Sequence, residues 1–454
     1  MKFLFRSSDA LCLPQALRVK AEGNQVKLSV ERPGFGKMGY GLIERALDFG
    51  RAAEWADVVV YDVQDGPLPK EADEVRKKKP VVGSSELGGQ IEHDRAFGID
   101  FARKSGVKCP EVEEFKGIAA FAKARIWLDS QPRNEDFVLK VNGKAPNGVG
   151  TFVSKDGRAG ALRMLKHWES MYVDEGIRPD FIITKKISGP EISTEAWFNG
   201  VDMFLCNHTL ERNKFFPGDL GEKVGCCGNV VWAVDRMSPL VQKLLIPLIP
   251  MLAGKFVGPI DVNVIIEEKT NEPVFLEYSP RFGYDAIFAL MELFDKDDFG
   301  EFLYQIAMGQ PWRGAVSEGY AGDVRVTIPP FPAKGSGEGD KEAIGVPIFG
   351  LNPKSYNRHV HYMEVMLDET DKLVTSGPHG VVLSVSAQGD DPRSAQQAAY
   401  RLVDKVHIPN NRYRNDLVEA IGDVYDTIEQ TGWLDTGTRQ DSPKTLFQML
   451  GRRQ

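Results

Sequence analysis

The sequence predicts a multidomain protein of α/β and α+β class, with a Rossmann-like parallel sheet first and a small α+β domain last. Three observations predict this. Over residues 1–90, short β-branched or aromatic runs alternate with stretches of helical periodicity, the pattern of a parallel sheet. The middle of the chain carries longer strands joined by tight turns, as at Asn199-Gly200. From Ala343 onward the character changes again, to short strands followed by one helix. A chain of 454 residues has room for two to four such units.

Taken in order, Lys2–Phe5, Val26–Val30 and Asp57–Tyr61 are strands, and Val81-Val82-Gly83 is a short one. Leu11–Glu22 and Tyr40–Ala53 have helical spacing. Between the first strand and first helix lies Arg6-Ser7-Ser8-Asp9-Ala10, where a Rossmann fold has its glycine-rich phosphate turn; no GxGxxG is present. Ser7, Ser8 and Asp9 fit either a plain helix cap or a turn offering N–H groups to an anion. A helix carrying Arg95 follows, then a helix over Phe115–Leu128. Phe137–Val153 reads as a strand bearing Lys140, a Gly/Asn/Pro loop bearing Lys144 and Gly148, and a returning strand. A lysine beside a mobile glycine loop suits phosphate binding, although an ordinary hairpin has the same look.

Ala159–Tyr172 is a helix, and Phe181–Ser188 an apolar strand leading into Gly189-Pro190-Glu191. Ile192–Phe198 and Met203–Asn207 form a hairpin. Glu211–Asn229 reads as a long Gly-rich loop, Val241–Leu252 as a helix, and Ala286–Met308 as another. The C-terminal part has strands at Asp323–Ile328, His359–Leu367, Lys372–Thr375 and Gly380–Ser386, then the helix Asp391–Val406.

The chemistry gathers on Gly258–Glu268 and Val274–Gly283. Period-two geometry puts Asp261 and Asn263 on one face of the first strand, and Glu277 and Ser279 on one face of the second, with Arg281 just beyond. Paired as a hairpin, they bring together hard oxygen ligands of the kind that hold Mg²⁺ with phosphates, beside a guanidinium suited to phosphoryl charge. A solvated polar face accounts for the same residues. His208 is a candidate substrate contact. His359 and His361 alternate on one strand without a third ligand nearby, and Cys226-Cys227 reads as buried packing.

Composition excludes several classes. A net charge of −8 offers no electrostatic footprint for nucleic acid or a membrane surface. Five scattered cysteines make no disulfide framework or zinc site, so a reduced, cytoplasmic setting is expected. The apolar run after Met1 is too short for a signal peptide, and no run reaches the length of a membrane helix.

Together these pieces resemble the ATP-grasp ligases, and among them the phosphoribosylamine–glycine ligases, over roughly residues 1–430. The resemblance rests on Val82–Phe97, Phe137–Val153, Lys185–Glu191, Glu211–Asn229, the Asp261–Gly283 hairpin and the C-terminal tract Lys372–Tyr400. It implies an ATP-grasp core of two α+β lobes at 91–310, with a lid lobe at about 115–187. The N-terminal domain would be 1–90, the C-terminal α+β domain 311–435, and a tail 436–454. It also implies ATP and Mg²⁺ (or Mn²⁺), a carboxylate substrate such as glycine, an amine substrate, and a monomer or small homo-oligomer. Arg95 and Lys140 would hold phosphate. Lys144 and Gly148 would lie in the lid loop. The backbone at Lys186 and Ile187 would face adenine, and Glu191 would bind ribose. Asp261, Glu277 and Ser279 would hold metal, and Arg281, Asp219 and Lys214 would act catalytically. The chain departs from the family at Ser7–Ala10, at Val224–Trp232 and at Tyr284-Asp285-Ala286, where the substrates would lie. Altered substrates are therefore compatible with the resemblance. The rival reading is a degenerate member that binds nucleotide without ligating.

Overall fold

A computed structural model describes residues 1–142, 150–174, 176, 179–294, 298–332 and 343–434. The N-terminal unit is a five-stranded parallel sheet. Its strands are β1 (Lys2–Ser7), β2 (Gln25–Val30), β3 (Glu44–Arg45), β4 (Val58–Tyr61) and β5 (Val81–Val82), in the order β3-β2-β1-β4-β5. Alternation along β1 sorts its side chains. Phe3 and Phe5 join the main core with α1 (Leu13–Ala21), while Leu4 joins a second cluster with α2 (Phe49–Trp55) and α3 (Leu68–Arg76). Both faces are covered, as a parallel sheet requires.

Two features here differ from the sequence expectation. The helix expected over Tyr40–Ala53 is turns, then β3, then the shorter α2. Gly39 and Gly41 adopt left-handed φ values of 72° and 76°, which no continuous helix accepts. Nor do Ser7, Ser8 and Asp9 cap α1. The helix begins at Leu13 behind Cys12, without a side-chain cap. Ser7 Oγ instead accepts from the Asp9 and Ala10 N–H groups and donates to Asp62, so those amides are already used within the turn.

Helices α4 (Glu86–His93) and α5 (Arg95–Lys104) lead into a four-stranded antiparallel sheet of β6 (Val112–Phe115), β7 (Phe137–Val141), β8 (Thr151–Val153) and β9 (Phe181–Lys185). Phe115 belongs to β6, and the helix expected from it starts at Ala120, as α6 (Ala120–Ser130). Helices α6 and α7 (Gly157–Asp174) cover this sheet over a private core that includes Leu128, Phe137, Trp168 and Phe181.

The largest sheet has eight strands. The first five are β10 (Glu191–Phe198), β11 (Met203–Phe216), β12 (Leu220–Val234), β13 (Gly258–Ile266) and β14 (Pro273–Ser279). Then come β15 (Tyr320–Thr327), β16 (Val360–Tyr362) and, beyond the separate two-stranded pair β17 (Val365–Leu367) and β18 (Leu373–Thr375), β19 (Val381–Gly389). The order is β14-β13-β10-β11-β12-β15-β19-β16, so strands on either side of residue 311 share one sheet.

The expected Gly-rich loop Glu211–Asn229 is instead the far half of the β11–β12 hairpin. Irregular register at Arg212–Lys214 and Lys214–Phe216 lets a strand run through a sequence that lacks clean alternation. The expected helix Val241–Leu252 breaks at Pro247 and Pro250 into α8 (Pro239–Leu244), a 3₁₀ turn and α9 (Ile249–Leu252). Ala286–Met308 is two helices, α10 (Ala286–Leu293) and α11 (Phe299–Ala307). His359–Leu367 is likewise divided, since β16 pairs with β19 and β17 with β18. Helices α12 (Pro392–Val403) and α13 (Leu417–Glu429) pack on the large sheet. Among the described residues no helix is long and apolar enough to cross a membrane.

Candidate active site

Strand β10 lies between β11 and β13, so its polar residues face across to both. Asp261 stands opposite Ser279 and Asn263 opposite Glu277, while Glu195 stands opposite Asp261 on the other side. This register brings Asp261, Asn263, Glu277 and Ser279 to one face, as the hairpin reading expects. With Glu191, Glu195, Thr209 and Glu211 they line a cavity of about 480 Å³. Across from them the four-stranded sheet and the segment after it supply Lys140, Lys186 and Ile187, while Arg95 comes from α5, which packs in the large-sheet core. The cavity therefore lies between two lobes, each with its own core.

Its electrostatics centre on Glu277. Arg95 Nη1 donates to Glu277 Oε2 at 2.9 Å, and Lys140 Nζ lies 3.8 Å from the same oxygen. Burial pushes this carboxyl up, but Lys140 and Arg95, with Arg281 behind them, pull it down to about 2. The same burial lowers Lys140. Ser193 Oγ lies 2.8 Å from both Asp261 Oδ2 and Asn263 Oδ1, and Asn263 Nδ2 donates to Asp261 Oδ2 at 3.1 Å. Asp261 Oδ1 is buried with no hydrogen-bond partner. Burial drives Asp261 up to about 7, against the Ser193 hydrogen bond and Arg281. Glu195 is pushed to about 8 by burial and by Asp261 opposite, and Glu211 to about 8 by burial and by Glu191. Glu191 is raised by burial and by Glu277.

Arg281 lines the cavity but is already engaged, its Nε donating to Glu92 Oε1 at 2.8 Å. Lys214 and Asp219 lie elsewhere, along a neighbouring cavity of about 340 Å³ on the β11–β12 hairpin. Lys214 Nζ donates to the Asp219 carbonyl, and Asp219 Oδ1 accepts from Arg414 Nη1 at 2.7 Å. These contacts pin the hairpin to the C-terminal segment. Lys144 and Gly148 fall outside the described residues, as does the tail from 436.

His208 does not line the cavity. It is fully buried, with Nδ1 3.0 Å from Thr194 Oγ1 and Nε2 3.2 Å from Ser238 Oγ. His361 is buried against Phe288 and bonds Ser386. Cys226 and Cys227 are buried, free thiols.

Sequence reasoning missed Glu195, Glu211 and Glu92. Glu195 had a signal, since it continues the alternate positions Glu191 and Ser193 along one strand. Glu211 was hidden by the apparent loop. Nothing in the local sequence marks Glu92 as the partner of Arg281, 189 residues away. Asp285, at the departure Tyr284-Asp285-Ala286, is fully buried and doubly bonded by Arg325, at 2.6 and 2.9 Å.

Two hard oxygen donors, one with a bare buried lone pair, fit a divalent cation that takes its other ligands from phosphate and water. Among the described residues no three His, Cys, Asp or Glu side chains converge as a ligand set.

No family model matches the chain. It is 25% identical over 391 residues to the bifunctional purine biosynthetic protein ADE5,7 of Saccharomyces cerevisiae, an alignment spanning 82% of this chain and 47% of that protein. It is 25% identical over 350 residues to the phosphoribosylamine–glycine ligase of Leptospira interrogans, spanning 74% of this chain and 77% of that one. Among solved structures, the phosphoribosylamine–glycine ligase of Thermotoga maritima superimposes with a TM-score of 0.71 at 18% identity, covering 92% of this chain and all of that one. The chain thus resembles the phosphoribosylamine–glycine ligases over most of its length, and its fold is that of the ATP-grasp ligases.

Proposed function

We propose that this chain is an ATP-dependent carboxylate–amine ligase of phosphoribosylamine–glycine ligase type, forming a C–N bond through an acyl phosphate. The observation that carries this reading is Glu277, held by Arg95 from one lobe and Lys140 from the other across a cavity floored by Asp261. In the first step a carboxylate oxygen of the substrate attacks the γ-phosphorus of ATP, the β–γ P–O bond breaks, and ADP leaves. In the second, an amine nitrogen attacks the acyl carbon, the C–O bond to phosphate breaks, and the amide, phosphate and a proton are released. Such chemistry needs positioning and charge stabilisation more than covalent help.

The residues divide that work. Arg95 and Lys140 exchange Glu277 for the arriving phosphates and neutralise charge on the transferred group. Asp261 and Glu277, with Ser279 alongside, would hold Mg²⁺ or Mn²⁺, which supplies Lewis-acid stabilisation of the β- and γ-oxygens when bound. The Lys186–Ile187 backbone faces adenine, Glu191 takes the ribose hydroxyls, and Arg281, steadied by Glu92, faces the reacting carboxylate. Lys214 and Asp219 line an adjoining cavity that shares Glu191, Glu211 and Lys223 with this one. The substrates are a small amino acid such as glycine and an amine. With its thiols free, the chain fits a reduced cytoplasmic setting.

The test is incubation with Mg-ATP, a pool of amino acids and candidate amines, reading ADP and phosphate release. Glu277→Ala should lower turnover about a hundred- to a thousandfold, the scale of losing one group that stabilises transition-state charge, and leave the melting temperature within a few degrees. Measurable ATP binding without turnover for any pair of substrates would overturn the ligase reading in favour of a nucleotide binder. Retained activity in Glu277→Ala would overturn the metal assignment.

A further inference from the structure

Three cations near the Asp261–Glu277 face are already committed, and Lys223 lies toward Glu191. Arg95 and Lys140 pair with Glu277, and Arg281 pairs with Glu92. Glu195 has no cation of its own, only the more distant pull of Arg281. It is only 8% exposed, it lines the cavity, and among the described residues it makes no ion pair. Its position is defined by the sheet, directly opposite Asp261 in the β10–β13 register. Two carboxylates facing each other across adjacent strands repel, and a cation on the cavity side relieves both. Metal at Asp261 and Glu277 would answer only the first of them.

The geometry beside Glu195 indicates the second cation. Glu195 lies four residues along β10 from Glu191, roughly 13 Å at the rise of a strand. That puts it away from Lys186, Ile187 and Glu191, the nucleotide end, and next to the β14–α10 connection. A Cβ built on Gly283 would lie 3.9 Å from Glu195 Oε2 and 3.7 Å from Ala286 Cβ, with no other close neighbour, so the glycine leaves room beside this carboxylate. A molecule bound there has a carboxylate within reach of the metal and phosphate centre and a positive group at Glu195. That is the outline of a zwitterion.

We infer that Glu195 is a specificity-determining residue that receives the ammonium group of an α-amino-acid substrate, in the space left by Gly283. This rests on the ligase reading above and adds to it the residue that separates an amino acid from a plain carboxylic acid.

The experiment measures binding rather than turnover. The full chain with Mg²⁺ and the non-hydrolysable analogue AMP-PNP is titrated calorimetrically with glycine and with acetate, and with alanine and propionate. For at least one pair the amino acid should bind tenfold or more tighter than its desamino partner. Glu195→Gln should bring that ratio to near one without changing AMP-PNP affinity. Gly283→Leu should abolish binding of both members of the pair, again with AMP-PNP affinity kept as the evidence of an intact fold. A Glu195→Gln protein that keeps the tenfold preference would overturn the assignment. So would a wild-type protein that binds AMP-PNP but neither amino acid. If AMP-PNP itself does not bind, the ligase reading fails and this inference falls with it.

Discussion

At the scale of single residues, burial decides which ionisable groups belong to the chemistry and which to the core. His208 is fully buried with only hydroxyls beside it, whereas Glu277, half-buried on the cavity wall, has two cations beside it. The carboxyl therefore stays ionised and the imidazole stays neutral. Burial pushes His208 and His361 down to about 3 from an ordinary 6.5. Neither ring should titrate between pH 8 and pH 5 in the folded protein, which the histidine ring resonances in NMR would check. The unfolded chain takes up protons at both positions as pH falls through about 6.5. The stability held by these neutral rings is thus complete above that pH and is lost as pH falls toward the folded value. His361→Gln should reduce the protons taken up on unfolding at pH 5 by close to one.

At the scale of elements, one backbone crossing and one side-chain clamp tie the elements around the site. Gly83, at the end of β5, donates its N–H to the Val257 carbonyl at 2.7 Å and so ties the parallel sheet to the start of β13. Its φ is 95°, and a Cβ there would lie 1.8 Å from the Tyr61 carbonyl oxygen. Gly83→Ala should cost about 3 kcal/mol, read from the urea midpoint, because the strand end must shift to accept the methyl. The β11–β12 hairpin is tied at its far end by Arg414, which is buried and bonds Asp219, Asp416 and the Lys214 carbonyl. That clamp explains why a Gly-rich stretch forms paired strands, and it engages Asp219 and the Lys214 carbonyl.

At the scale of the whole molecule, the cavity lies between bodies with different cores. The four-stranded sheet with α6 and α7 has a hydrophobic cluster of its own, separate from the one that joins the N-terminal and large sheets. Ile182 of β9 reaches into the larger cluster, and Lys140, Arg95 and Glu277 stand at the junction. Small separate cores open at lower free energy than the global transition. Amides of β7 and β9 should therefore exchange by a sub-global opening, faster than those of β10 and β13, and Mg²⁺ with AMP-PNP should slow them selectively. Hydrogen exchange read by mass spectrometry over 112–185 and 191–266 would check this. Equal protection of the two segments, unchanged by nucleotide, would count against lobes that close on a ligand.

Local sequence carried a good part of this architecture. Period-two alternation put Asp261, Asn263, Glu277 and Ser279 on one face before any strand was paired, and β-branched runs marked the parallel sheet, because both patterns depend only on near neighbours along the chain. Turns and strand ends were less legible. Tyr40–Ala53 has helical apolar spacing, but left-handed Gly39 and Gly41 keep a helix from starting there, and Glu211–Asn229 lacks alternation because its register is irregular. What only the tertiary structure decided is which charges meet. The Arg95–Glu277, Arg281–Glu92 and Arg325–Asp285 pairs span 182, 189 and 40 residues, and Glu195 acquires its place opposite Asp261 only when β10 pairs with β13. A residue's type and its face are properties of a short segment. Its partner, its burial and therefore its protonation depend on what other parts of the chain bring to it.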